Sequence, residues 1–221
     1  MLRSRARLPV LAQITGPGEE GAWALRRGDF TGLEEVLPRL EQPRVVAVAG
    51  EGEAPAVAAT AIAATAAARG RRTILVECDL AQPRLTAQLG LDAGPGLHEY
   101  LRWEAEPADV LQPLALAGIA AAGSTEPLVC ICGGRPASKA ETLLGLQSFS
   151  HMVEKLRAAY ELVLLVAPPI ESEPGACLAV AGRARAALAG LAAAQTGRDG
   201  RGIRAALRRL PAPVLGAIAV S

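Results

Sequence analysis

The sequence predicts a doubly wound α/β domain: a mostly parallel sheet with helices on both faces. Three observations carry this. Apolar runs suited to strands buried on both faces recur along the 221 residues. Stretches that read as helices lie between them, and strands alternating with helices imply parallel crossovers. Finally, 51% hydrophobic and 20% charged residues are the proportions of a packed globular core.

The first run is residues 44–49 (RVVAVA). A Gly-containing loop, residues 49–56 (AGEGEAPA), follows, and then an Ala-rich helix over residues 57–69, which Gly70 stops at its C-terminal end. The second strand is residues 73–78 (TILVEC). Helices over 83–89 and 97–102 lead to a third strand at 128–132 (LVCIC). A long helix over 140–160 precedes the fourth strand at 162–167 (LVLLVA), and a helix over 202–210 precedes the last, at 214–220 (VLGAIAV). Residues 176–194 read as a helix, with a helix after a very short strand as the alternative. Residues 1–43 are expected to form an N-terminal extension and a helix packing on the domain, with residues 44–221 as the α/β domain proper.

Bulk properties exclude several roles. A formal net charge of +1 supplies no global field for nucleic acid or an anionic membrane. Two Trp, two Tyr and two Phe leave little aromatic surface for stacking bases, so no nucleic-acid partner is expected. All but two of the 23 basic residues are Arg, a composition resembling that of GC-rich bacterial genomes. Residues 1–16 start basic but are broken by Pro9, which argues against a signal peptide. The uncharged run of residues 54–68, dominated by Ala and Thr, falls short of the roughly 20 apolar residues that span a bilayer. A cytoplasmic protein is expected. Cys78, Cys130, Cys132 and Cys177 sit in apolar stretches and read as buried thiols. Cys130 and Cys132 fall on one face of a strand, half of a metal site at most, with neither His98 nor His151 near in sequence; no metal is expected.

Strand, Gly loop and helix at 45–69 have the layout of a P-loop, in which backbone N–H groups cradle phosphates, a Lys reaches the β/γ oxygens and a Ser or Thr binds Mg²⁺. The chemistry is missing. The two lysines are Lys139 and Lys155, both far away in sequence. Counting back from the helix puts Pro55 and Ala56 at the Lys and hydroxyl positions; counting from Gly50 puts Ala56 and Val57 there. Pro55 removes a backbone N–H from the cradle, and it also suits the first turn of a helix with no ligand at all. In open parallel sheets ligands bind beyond the carboxyl ends of the strands, so residues 49–56, 77–81 and 166–169 are the candidate site.

At these loops the chain resembles the cytoplasmic catalytic domain of the bacterial tyrosine kinases that regulate capsule and exopolysaccharide export, relatives of the Min and Par ATPases in the deviant P-loop class. LPVLAQI (8–14) is similar to the family's L-P-V-L-G, and EGAWALR (20–26) to its E-A-F-R-x-L-R helix. ECDLAQPRL is similar to D-A-D-L-R-R-P, and GPGLHEYLRWEAEPADVLQP to P-G-L-x-D-Y-L-x-G-E-A-x-x-x-x-V-I-Q-P. LLGLQSFSHMVEKLRAAYELVLLVAPP resembles L-L-x-S-x-x-F-x-x-L-L-x-x-L-R-x-x-Y-D-Y-V-I-I-D-x-P-P. Set against the family pattern, Gly52 and Glu53 match G-E-G-K-S/T, while Ala54, Pro55 and Ala56 replace Gly, Lys and the hydroxyl residue. Asp79 matches the second acidic motif, Glu77 replaces its first Asp, and Ala81 stands where the family has Arg. Val166 occupies the place of the Walker B Asp before Pro168 and Pro169.

The resemblance therefore implies a vestigial nucleotide site of Gly50, Gly52, Glu53, Ala54, Pro55, Ala56, Glu77, Asp79 and Val166, with no catalytic residue and no cofactor. Glu77 and Asp79 read as solvated remnants at the sheet edge. The family's ring-assembly pattern E-x-x-R-x-x-R reads Glu20, Trp23, Arg26, a candidate interface for a homo-oligomer, with Trp23 packing on its own domain as the equal alternative. The C-terminal Tyr cluster of the family is expected to be missing, and Tyr100 and Tyr160 to lie inside helices. The function implied is a pseudokinase acting as adaptor or regulator in polysaccharide export, recruited to the inner membrane face by a membrane-anchored export or chain-length protein. The alternatives are an active ATP-dependent tyrosine kinase or ATPase, with Glu77 and Asp79 on Mg²⁺ and Arg84 or Arg135 in place of Lys, and a Min- or Par-like positioning protein.

Overall fold

The computed structural model describes residues 8–16, 32–42, 44–92, 94–114, 128–197 and 200–221. The candidate interface residues Glu20, Trp23 and Arg26 lie outside these. Among the described residues eight strands form one sheet: β1 (Val10–Ile14), β2 (Val45–Gly50), β3 (Thr73–Glu77), β4 (Gln112–Leu114), β5 (Leu128–Ile131), β6 (Leu162–Val166), β7 (Ala186–Ala192) and β8 (Val214–Val220). Their order is β1-β8-β7-β2-β6-β3-β5-β4, parallel throughout except for β4 against β5. The helices are α1 (Ala54–Ala68), α2 (Leu85–Leu89), α3 (Leu97–Leu101), α4 (Ala140–Gly145), α5 (Gln147–Ala159), α6 (Pro174–Ala181) and α7 (Arg201–Leu207), with short 3₁₀ turns at Leu37–Leu40 and Ala193–Thr196.

Continuous apolar strands are what a sheet covered on both faces requires, because successive side chains point to opposite sides. Val45, Ala47 and Ala49 enter one core with Phe149, Met152, Val153, Val180 and Ile203, from α5, α6 and α7. Val46 and Val48 enter the other, with α1 and with Leu33, Val36, Leu37 and Leu40. Helix α1 is buried at every position from Ala54 to Ala67. Its run of Ala and Thr is thus a packing device: small side chains allow it to lie closely between the sheet and the 33–40 segment. No helix of the described residues is long and apolar enough to cross a membrane.

Five strands stand where their apolar runs predict them. Three do not. Residues 176–194, expected to be helical, divide into α6, a turn after Gly182, and strand β7. Alanine favours helix locally, but β7 is hydrogen-bonded on both sides, to β2 and β8, and tertiary pairing overrides propensity. Strands β1 and β4 are short edge strands. The expected helix over 140–160 is two helices, separated at Leu146, whose ψ of 152° is extended. Tyr100 lies within α3, whereas Tyr160 follows the last residue of α5 and is extended.

Close approach of α1 to β7 depends on glycine. A β-carbon on Gly190 would lie 2.5 Å from Pro55 Cα and 2.7 Å from Ala54 O, and one on Gly50 would collide with the Gly190 carbonyl. Gly190→Ala is expected to lower unfolding free energy by about 2 kcal/mol or more, by overpacking against backbone. Gly145→Ala, where a β-carbon meets nothing within 4 Å, is expected to be neutral or stabilising. Urea denaturation of the two variants checks this.

Candidate functional site: a closed phosphate-loop cleft

Strands β2, β6 and β3 are consecutive in the sheet, so the loops leaving their carboxyl ends lie side by side. Val166 is the register partner of both Val48 and Glu77. The loops enclose a cleft lined by Gly52, Pro55, Ala56, Glu77, Asp79, Arg84, Val166, Ala167 and Pro169. The vestigial-site residues are thus largely brought together, with Gly50 on β2 and Glu53 and Ala54 in the same turn. Lys139 and Lys155 do not line it.

The turn from β2 to α1 is only residues 51–53, with Gly52 at φ +68°, a left-handed conformation suited to glycine. Pro55 sits in the first turn of α1, where its missing N–H leaves nothing unpaired. The Gly50 carbonyl accepts a hydrogen bond from Ile170 N at 2.9 Å. The Glu51 carboxylate accepts from Glu171 N at 2.9 Å and from Ser172 Oγ at 3.0 Å, which clasps the β2–α1 turn to the loop after β6. Glu53 pairs with Arg84 Nη1 at 3.1 Å, linking the turn to the segment that follows β3. What remains between these contacts is a cavity of about 10 Å³, roughly room for one water molecule.

Glu77 and Asp79 are not solvated remnants at an edge. Glu77 is 1% exposed and Asp79 8%, and β3 lies inside the sheet between β6 and β5. The Glu77 Oε1 accepts the N–H of Arg84 and that of Leu85, the latter at 2.8 Å, and its Oε2 accepts Gly133 N at 2.9 Å. One carboxylate thereby fixes the start of α2 and the loop after β5. Burial pushes its pKa up, against the three backbone N–H groups that favour the charged form. Asp79 accepts Gln82 N at 3.1 Å, and burial raises its pKa too, against Gln82 and the Arg84 charge. Both oxygens of Glu77 are engaged by backbone, and among the described residues no group of three or more His, Cys, Asp or Glu is placed to hold a metal ion. Val166, 4% exposed, fills the remaining corner with apolar surface.

Of the two arginines considered as substitutes for Lys, Arg84 lines the cleft and Arg135 does not. Arg135 donates to Glu99 at 2.8 Å and to Glu104 at 2.7 Å. Glu99 is buried and also accepts Gly96 N at 2.9 Å. Burial would raise its pKa, but the hydrogen bond from Arg135 and those from the backbone outweigh it and hold it below the ordinary value. The Glu51 and Glu99 clasps escape sequence reasoning because their partners lie in separate segments, 120 residues away for Glu51 and Glu171. All four cysteines are buried free thiols, with Cys130 and Cys132 in one core. Burial pushes Cys177 up to about 12, so it stays protonated at neutral pH.

No protein-family model matches the sequence, and no curated protein does. Solved structures do match. The chimeric protein CapA2B2 superposes with a TM-score of 0.80 at 16% identity, over 96% of this chain and 94% of that one. The kinase domain of the Escherichia coli tyrosine kinase Etk gives 0.78 at 16% identity, over 97% and 90%. The BceF tyrosine kinase domain gives 0.77 at 18% identity, over 97% and 93%. MinD of Pyrococcus horikoshii, in complex with Mg-ADP, is more distant at 0.59 and 18%, over 79% and 68%. The chain thus has the P-loop-type α/β fold of bacterial tyrosine kinase domains, as the sequence resemblance implies.

Glu77→Ala leaves three buried N–H groups without their acceptor and is expected to lower stability by about 2–4 kcal/mol, measured by urea denaturation. The pH dependence has a definite sign. Between the ordinary value of 4.5 and the raised native value, the native state holds more protons than the unfolded one, so this contribution to stability falls as pH rises through that window. Melting temperature against pH is expected to show that descending component in the wild type and to lose part of it in Glu77→Gln, with Asp79 supplying the rest.

Proposed function

We propose that this chain is a catalytically inactive protein built on the bacterial tyrosine kinase fold, acting through partners as an adaptor or regulator of exopolysaccharide or capsule biosynthesis and export. The observation that carries the reading is the closed cleft. Where a phosphate loop would receive nucleotide, Pro55, Ala56 and Val166 present apolar surface, and the remaining polar groups bind one another. Each lost charge-assisted phosphate contact is worth on the order of 1.5–3 kcal/mol, and opening the cleft would also break the Glu51 and Glu53 clasps. The pathway rests on the likeness to tyrosine kinase domains. The partner fitting this reading is the cytoplasmic part of a membrane-anchored export or chain-length protein, which would recruit the chain to the inner membrane face.

An active kinase or ATPase is not favoured, because both Glu77 oxygens are committed to backbone donors and Arg84 to Glu53. Incubation with ATP and Mg²⁺ is expected to yield neither phosphotyrosine nor phosphate release. Calorimetry with ADP and ATP at millimolar Mg²⁺ is expected to show no binding that Arg84→Ala alters. A ligand at a hundred times its dissociation constant would stabilise the fold by about 2.7 kcal/mol, so thermal unfolding offers a parallel readout. Phosphotyrosine formation, or micromolar nucleotide binding lost in Arg84→Ala, overturns the proposal.

A further inference from the structure

A second concavity, rich in arginine, lies at the other end of the sheet. A cavity of about 550 Å³ opens where β2, β7 and β8 begin, lined by Arg39, Arg44, Arg157 and Arg185 together with Gln42, Ala186, Pro213 and Leu215. The placement follows from the topology. Arg44 and Arg185 immediately precede neighbouring strands, and Arg185 N donates to the Val45 carbonyl at 2.9 Å. Arg39 comes from the 3₁₀ turn at Leu37–Leu40 and Arg157 from the last turn of α5.

Among the described residues no carboxylate lines this cavity. Arg157 is paired with Glu154 at 2.6 Å, but the side chains of Arg39, Arg44 and Arg185 have no ion pair or hydrogen bond among the described residues. On a chain of formal net charge +1 with 22 acidic residues, three guanidinium groups without a partner among the described residues, gathered around one hollow, are a local excess of positive charge. Their mutual repulsion does not help folding. All four arginines are exposed, so an anion that enters the hollow meets several like charges together. A guanidinium fork matches the oxygens of phosphate and takes them bidentately, and the volume is that of a small-molecule site.

We propose that this arginine-lined cavity binds a diphosphate group, at the end of the sheet opposite the closed cleft and independently of it. Three clustered cations match the charge of a diphosphate better than that of a monoanion. A soluble diphosphate ester and the headgroup of a lipid share this chemistry.

The probe is inorganic pyrophosphate, titrated into the full chain by calorimetry at about 0.15 M salt without Mg²⁺. Saturable binding is expected, weakened about tenfold or more in Arg44→Gln and in Arg185→Gln and unchanged in Arg84→Gln, whose side chain lies in the cleft. Circular dichroism and melting temperature verify that the variants are folded. Arg44→Lys keeps the charge but loses the fork, and is expected to recover only part of the affinity. Sedimentation with vesicles containing anionic phospholipid distinguishes the sources: capture abolished by Arg44→Gln and Arg185→Gln assigns the site to headgroups, and pyrophosphate binding without capture assigns it to a soluble diphosphate. Absence of pyrophosphate binding, binding indifferent to Arg44 and Arg185, or binding lost in Arg84→Gln overturns the proposal.

Discussion

The carboxylate of Glu77, buried at the end of β3, accepts N–H groups from Arg84, Leu85 and Gly133, and the geometry around it depends on that arrangement. The segment after β3 must lead into α2, and the loop after β5 must turn back toward α3. Neither is a regular element at that point, so both leave backbone donors that need acceptors inside the protein. A single buried acceptor with two oxygens satisfies three of them. Burial raises the cost of its charge, and the three donors offset part of that cost. A glutamate suits this task because its extra methylene lets one carboxylate reach donors on two different segments.

Around that clasp the cleft closes by ordinary means. Glu51 satisfies the loop after β6, and the Glu53–Arg84 pair spans the mouth. The pair is largely solvated, and such pairs contribute little stability on their own; its effect is to place two long side chains where a ligand would have to enter. Below, Gly50 and Gly190 allow the start of α1 to settle against β7 at a separation that no side chain would permit. Pro55, buried in the first turn of α1, completes the contact. The carboxylates of the loop are thus engaged by neighbouring segments, in a fold that is similar to that of a MinD in complex with Mg-ADP.

A sheet of this kind has two ends, and they have diverged in character. The carboxyl ends of β2, β3 and β6 meet in a cavity of about 10 Å³, while the amino ends of β2, β7 and β8 border one of about 550 Å³ ringed by arginine. The same core supports both, because it consists of strands buried on each face and of an Ala-rich helix that tolerates close packing. Likeness to tyrosine kinase domains at 16–18% identity is compatible with that division: the layers are retained by pattern, whereas the loops at either end are free to change chemistry.

Much of this protein was legible without coordinates. The apolar runs at 44–49, 73–78, 128–132, 162–167 and 214–220 determine five buried strands, since short unbroken runs rich in Val, Leu and Ile suit strands of a sheet covered on both faces. Pro55, Ala56 and Val166 carry no cation and no metal-binding group, which their chemistry alone makes plain. Tertiary structure decided the rest. Residues 186–192 are rich in helix-forming alanine and become a strand because β2 and β8 offer hydrogen bonds on both sides. Glu77 and Asp79 read as solvated and are buried, since the exposure of a carboxylate depends on which distant backbone N–H groups fold over it. The arginine cavity was invisible for the same reason: Arg39, Arg44, Arg157 and Arg185 are scattered along the chain, and only the order of the strands brings them to one place.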